Sequence, residues 1–203
     1  MIAVIDYGVG NLRSVEKAFS FIGCDACVTS DPNTVLSADA VVLPGVGAFA
    51  DAMDSLEKAG MVDVVKETIS KGKPFLGICL GMQLLFDYSE EGGSEVKGLG
   101  IFKGGIKQFS HDMGLKVPHM GWNSIEYNKQ SPLFKNLPDK PFVYFVHSFY
   151  LDADDKNIVA AGTNYGIDFD SAIGVGKVFA TQFHPEKSGD VGLTILRNFA
   201  NII

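Results

Sequence analysis

The hydrophobic pattern changes rhythm along the chain. Residues 1–6 form a continuous apolar run of strand length, and Leu12, Val15, Phe19 and Ile22 then recur at helical spacing until Gly23 ends the helix. Residues 26–30 and 39–43 read as short strands. Met61, Val64, Val65 and Ile69 form a second helical stripe, stopped by Gly72 and Pro74. Residues 75–78 give a fourth strand and 80–88 read as a helix. Strands alternating with helices predict an α/β fold in three layers, a mostly parallel central sheet with helices on both faces. From about Gly98 to Ala180 the pattern becomes strand-like throughout. Residues 100–109, 115–117, 124–127, 142–151, 158–164, 171–175 and 177–182 are bounded by Gly, Asn, Asp and Pro turns, which predicts an antiparallel β region in the second half. Val191, Ile195, Leu196, Phe199 and Ile203 mark a closing helix. No repeat or linker interrupts the chain, so residues 1–203 are expected to form one domain; 90–94 read as a loop.

Composition narrows the function. Lys and Arg number 17 against 24 Asp and Glu, a formal charge of −7, which disfavours a general nucleic-acid binder because neutralising phosphates needs a basic face. The longest apolar stretch, 75–86, is broken by Gly77, Gly81 and Gln83 and is shorter than the ~18–20 residues of a membrane helix. Three cysteines, Cys24, Cys27 and Cys79, are too few and too odd in number for a disulfide framework and suit a reducing compartment. With no basic-then-apolar leader, the expectation is a cytoplasmic protein that binds neither nucleic acid nor membrane.

Gly77-Ile78-Cys79-Leu80-Gly81-Met82-Gln83 sits where a strand gives way to a helix. This is the layout of a nucleophile elbow with Cys as nucleophile. The turn is sharp and strained, so its neighbours must be small. The helix N-terminus favours a thiolate, and the Leu80 N–H is aimed where an oxyanion would form. A buried structural cysteine is the bland alternative, but the flanking glycines outweigh it. A thiolate needs a base and an orienter for that base. Of His111, His119, His147 and His184, the last lies in Thr181-Gln182-Phe183-His184-Pro185-Glu186, where extended backbone turns His184 and Glu186 to one side. His111 reads as a solvated loop residue and His147 as a hydrogen-bonded strand residue.

Two motifs compete. Cys24-Asp25-Ala26-Cys27 lacks the second ligand pair of a zinc site and follows a helix, so both thiols read as packing residues. Gly45-Val46-Gly47-Ala48-Phe49-Ala50 matches a dinucleotide-binding turn. It follows Pro44 and the third strand, however, and no acidic residue closes a strand ~20 residues on. A glycine loop beside the elbow, supplying a second oxyanion donor, fits better.

Pro44-Gly45-Val46-Gly47, the elbow and His184-Pro185-Glu186, in that order, resemble the class I glutamine amidotransferases. Pro118-His119-Met120-Gly121-Trp122-Asn123 and Tyr144-Phe145-Val146-His147-Ser148 resemble one branch of it, the glutaminase subunits of imidazole glycerol phosphate synthases in histidine biosynthesis. The opening Asp6-Tyr7-Gly8-Val9-Gly10-Asn11-Leu12 and the ending Phe183-His184-Pro185-Glu186-Lys187-Ser188 match that branch too. The resemblance implies a Cys79–His184–Glu186 triad that hydrolyses glutamine through a thioester, with backbone of Val46, Gly47 and Leu80 at the oxyanion. Gly45, Gln83, Ser148 and Phe149 would hold the substrate. It further implies a heterodimer with a TIM-barrel cyclase, which uses the ammonia to make imidazole glycerol phosphate and aminoimidazole carboxamide ribotide. His119, Met120, Trp122, Asn123, Tyr144 and Lys187 would meet that partner. The glycines around Val46 would let its peptide flip between inactive and active arrangements. Neither cofactor nor metal is implied. The alternatives are a class I glutaminase serving another synthase, or a non-catalytic module on the same fold.

Overall fold

A computed structural model describes residues 1–93, 95–110, 112 and 114–203. The first half comprises β1 (Ile2–Ile5), α1 (Leu12–Phe21), β2 (Ala26–Thr29), α2 (Pro32–Ser37), β3 (Ala40–Gly45), α3 (Phe49–Lys58), α4 (Met61–Ser70), β4 (Phe75–Cys79) and α5 (Leu80–Gln83). Then come β5 (Tyr88–Ser89), β6 (Val96–Lys97), β7 (Gly104–Gln108), β8 (His119–Ser124), β9 (Glu126–Tyr127), β10 (Phe142–His147) and β11 (Phe149–Ala153). The chain closes with β12 (Val159–Asn164), β13 (Asp168–Val175), β14 (Val178–Thr181) and α6 (Gly189–Ala200).

The main sheet runs β2-β1-β3-β4-β14-β13-β11-β7-β5-β6, with β12 and β9 branching from β13. From β2 to β14 every pairing is parallel. Every residue of β1, β3, β4 and β14 is buried, as a parallel sheet covered on both faces requires. Side chains divide by alternation. Ala3, Ile5, Val41, Leu43 and Phe75 face a core completed by Phe49, Leu56, Met61 and Val65 of α3 and α4. Ile2, Val4, Val42, Leu76 and Ile78 face the opposite core with Phe19 of α1 and Ile195, Leu196 and Phe199 of α6. Each fully buried large side chain contributes about 1.5–3 kcal/mol. The three-layer α/β fold is thus as expected.

Several elements differ from the sequence pattern. The helix expected over 80–88 is only α5, one turn long. Leu84, Leu85 and Phe86 are all fully buried, and their carbonyls accept from the N–H groups of Leu99, Gly100, Ile101 and Phe102 rather than from later helical turns. An apolar run buried all round carries no period to separate helix from irregular chain. No strand forms at 115–117, and the strand expected over 100–109 is confined to β7. The 142–151 run breaks at Ser148 into β10 and β11, which belong to different sheets. β14 lies antiparallel to β13 but parallel to β4, so it joins the two halves. Ile203 is exposed beyond the end of α6. Two helices carried unread signals: α2 starts on Asp31, whose carboxylate accepts from the Asn33 and Thr34 N–H groups, and Pro32; α3 shows Phe49, Ala52 and Leu56 on one face. His111 and Ser94 lie outside the described residues.

β4, α5 and β3 meet at Gly81. A Cβ there would overlap the Leu43 carbonyl of β3, a backbone group that cannot move aside. Gly81→Ala is expected to destabilise the fold by about 3 kcal/mol or more, at the upper end of overpacking costs. A urea midpoint equal to that of the unsubstituted chain would contradict the packing described.

Candidate active site

Cys79 ends β4 with φ 55° and ψ −112°, a left-handed conformation that a non-glycine residue holds at a cost of about 1–3 kcal/mol. Cys79 is buried and lines a cavity of about 280 Å³. β14 runs parallel to β4 with Thr181 opposite Ile78, so the chain leaving β14 passes beside Cys79. There the His184 Nδ1 lies 2.8 Å from Glu186 Oε1, with both side chains buried. Among the described residues the other imidazole nitrogen, Nε2, has no hydrogen-bond partner. Burial opposes a charge on His184, but Cys79 and Glu186 beside it outweigh burial and lift its pKa to about 10. The arrangement favours an imidazolium between Cys79 and Glu186.

β3 reaches the same point from the other side, with Gly45 opposite Cys79 in the ladder. A Cβ on Gly45 would stand 2.8 Å from the Tyr7 hydroxyl and 2.9 Å from the Gly81 nitrogen, so only glycine admits this approach. The loop that follows is anchored at both ends. The Tyr7 hydroxyl donates to the Pro44 carbonyl at 3.0 Å, and Glu91 Oε2 accepts from the Phe49 N–H at 2.6 Å. Val46, Gly47 and Leu80 line the same cavity as His184. Glu91 also lines it, a role its position in a Gly-rich loop did not signal.

Gln83, Ser148 and Phe149 line the cavity as well. Gln83 Nε2 donates to Phe149 O at 3.1 Å and to Gln182 Oε1 at 2.8 Å. Gln182 is fully buried, and its amide Nε2 stands 3.7 Å from Cys79 Sγ. The sequence reading missed Gln182: only the alternation along 182–186 could have turned it toward the cavity with His184. Gly45 is buried at the end of β3 and is not among the residues that line the cavity.

The residues expected to meet a partner split in two. β8 and β10 form a separate antiparallel ribbon with Trp122 opposite Tyr144 and Met120 opposite Val146. Met120 is 62% and Trp122 55% exposed, so neither is the core residue that strand alternation also allowed. Trp122 packs edge-on against Tyr144 at 6.2 Å, and Lys187 Nζ sits 5.9 Å over the Tyr144 ring. His119 faces the other way and is buried, so it is not on this exposed face. Asn123 lies beside it, half-buried. Cys24 and Cys27 are free thiols, and Cys24 packs against the core of α1 and α6. None of the helices is long and apolar enough to cross a membrane, among the described residues.

A family model described as "Glutamine amidotransferase class-I" matches residues 3–202. Among curated relatives, the imidazole glycerol phosphate synthase subunit HisH of Caldanaerobacter subterraneus subsp. tengcongensis is 52% identical over 203 residues, covering 100% of this chain and 98% of its own. The protein of that name from Geobacter metallireducens is 52% identical, covering 98% and 97%. That from Bacillus cereus is 50% identical, covering 100% and 95%. Solved structures agree on the fold. A glutamine amidotransferase superimposes with TM-score 0.76 at 20% identity, over 100% of this chain and 98% of that one. The PurLQS structure from Thermotoga maritima does so with TM-score 0.75 at 19% identity, over 98% and 97%.

The raised pKa fixes the charge of His184. The ring is protonated below the raised value and loses its proton only as pH climbs toward about 10. Glu186→Gln removes one of the two negative neighbours, so the midpoint should fall by about one unit or more. Histidine ring resonances followed by NMR across pH 5–11 would show this. Titration of His184 near its ordinary pH 6.5 in the unsubstituted chain would contradict it.

Proposed function

The chain belongs to the class-I glutamine amidotransferases, and we propose that it is the glutaminase subunit of an imidazole glycerol phosphate synthase. The observation that carries this reading is the meeting of three distant segments on Cys79: the 45–47 loop, the elbow and the His184–Glu186 pair. Relatives at about half identity over the full chain carry the name of that subunit. Residues 1–203 act as one catalytic domain in this reading, in the cytoplasm, with free thiols to match.

The chemistry follows from the geometry. With its proton already held on the charged His184 ring, Cys79 attacks the side-chain amide carbon of glutamine as a thiolate. The oxygen that gains the electron pair lies toward the Leu80 N–H and the backbone of Val46 and Gly47, which stabilise it. His184 returns the proton to the amide nitrogen, the C–N bond breaks and ammonia leaves. Water, deprotonated by His184, then cleaves the thioester and releases glutamate. Glu186 orients the ring and balances its charge rather than reacting. Gln83, Ser148 and Phe149 hold the amino-acid end of the substrate. No cofactor or metal enters these steps.

Ammonia released into water would be lost, so a synthase must dock beside the cavity. The β8–β10 ribbon suits that role. Val146 and His147 line the cavity, while Met120, Trp122, Tyr144 and Lys187 present an apolar and cationic outer face. One ribbon therefore borders both the glutamine site and the docking surface. The partner is a TIM-barrel cyclase that turns ammonia and a ribotide into imidazole glycerol phosphate and aminoimidazole carboxamide ribotide.

The test is glutamate release from glutamine by the chain alone, with the cyclase, and with the cyclase and its ribotide. Hydrolysis should be strongest in the last mixture, and Cys79→Ala should lower it by roughly three orders of magnitude or more. Equal hydrolysis with and without the cyclase would point to a different synthase. Trp122→Ala should leave the melting temperature near that of the unsubstituted chain. It should weaken association with the cyclase by roughly thirty-fold, the scale of an interface hot spot, as measured by titration calorimetry; unfolding instead would return Trp122 to the core.

A further inference from the structure

Two histidines that take no part in the chemistry form a hydrogen-bonded line with polar groups at each end. Asn123 Nδ2 lies 3.3 Å from His119 Nε2. His119 Nδ1 lies 2.9 Å from His147 Nε2, and His147 Nδ1 lies 2.8 Å from the Phe149 carbonyl oxygen. Burial pushes His147 down to about 3 and His119 to about 4, so both rings are neutral at pH 7 and each carries one proton.

The position of each proton follows from the backbone. The Phe149 oxygen can only accept, so His147 is protonated on Nδ1 and bare on Nε2. His119 must then donate from Nδ1, which leaves its Nε2 bare and accepting from Asn123. The Asn123 amide is oriented independently: Oδ1 accepts from the Ser124 N–H at 2.8 Å and Nδ2 donates to Asn164 O at 2.9 Å. Both ends therefore demand the same direction. His119 is also held flat between Tyr165, at 3.9 Å and 22°, and Phe145, at 4.8 Å and 24°. Turning any one member over would set two lone pairs or two protons against each other at the next link, so the line holds or fails as a unit.

Its ends are in two functional places. The Phe149 oxygen also accepts from Gln83 Nε2, and both residues line the glutamine cavity. Asn123 is the neighbour of Trp122 on β8, the strand of the docking face. The geometry points to a positioning relay: Asn123, His119 and His147 hold the Phe149 carbonyl, and through it Gln83, in the glutamine-binding arrangement, and make that arrangement depend on the docking strand. This rests on the function proposed above. None of the three touches the reacting atoms.

The experiment uses the complex with the cyclase and its ribotide. In the unsubstituted complex, long-range nitrogen–proton spectra should show both rings protonated on Nδ1, unchanged between pH 8 and 5. His119→Phe fills the same flat slot but carries no hydrogen bond. It should leave His147 protonated on Nδ1 but shift its Nε2 resonance as that nitrogen loses its donor, and raise KM for glutamine by roughly five-fold, the worth of one hydrogen bond, with kcat held within about two-fold. If that variant fails to fold, Asn123→Asp carries the test from the half-buried end. A carboxylate cannot donate, so His119 should gain a proton on Nε2 and KM should rise again. An Nε2-protonated ring in the unsubstituted complex, or an unchanged KM in variants of an active complex, overturns the relay alone. An unsubstituted complex that releases no glutamate overturns the proposed function and the relay with it.

Discussion

The close approach of Gly81 to the Leu43 carbonyl sets the geometry of the site. It lets α5 start at once after β4, so Cys79 is caught at φ 55° between a strand and a helix N-terminus. β3 and β14 flank β4 in parallel, with Gly45 opposite Cys79 and Thr181 opposite Ile78. Each therefore delivers its following segment to one side of the thiol, at the carboxyl ends of the strands where open α/β sheets bind ligands. The strain at Cys79 is borne by ladders buried on both faces, an elbow too well surrounded to relax.

The electrostatics of the site depend on the same enclosure. Burial alone would keep His184 neutral, and two negative neighbours reverse that. His119 and His147 lie nearby without such partners, and burial wins. Three imidazoles close together thus take opposite charge states because, of the three, only His184 has Cys79 and the Glu186 carboxylate against it. The sorting also divides their work: the charged ring moves protons and the neutral pair holds direction.

The legible parts of the sequence were those governed by local rules. The continuous apolar runs of β1, β3 and β4, the glycine spacing of the elbow and the two-residue step from His184 to Glu186 all report the chain within a few residues. The 84–86 run misled because its partners, 99–102, are supplied by a later segment. Gln182 and Glu91 went unread for a related reason: Gln182 meets Gln83 across 99 residues and Glu91 meets Phe49 across 42. At 119–123 the error ran the other way. The motif grouped neighbours that strand alternation separates, sending Met120 and Trp122 outward and His119 inward.

The placement of β14 bears on how the protein comes into being on the ribosome. The thiol-bearing strand is made about a hundred residues before β14, its neighbour in the sheet, and Gln182 reaches Cys79 across 103 residues. Until then β4 has an open edge on that side, and Cys79 has neither base nor amide beside it. A nascent chain therefore carries an unassisted thiol while the intervening segments are made. The base and the amide reach the thiol only as the sheet closes, so the strand that completes the sheet also completes the site.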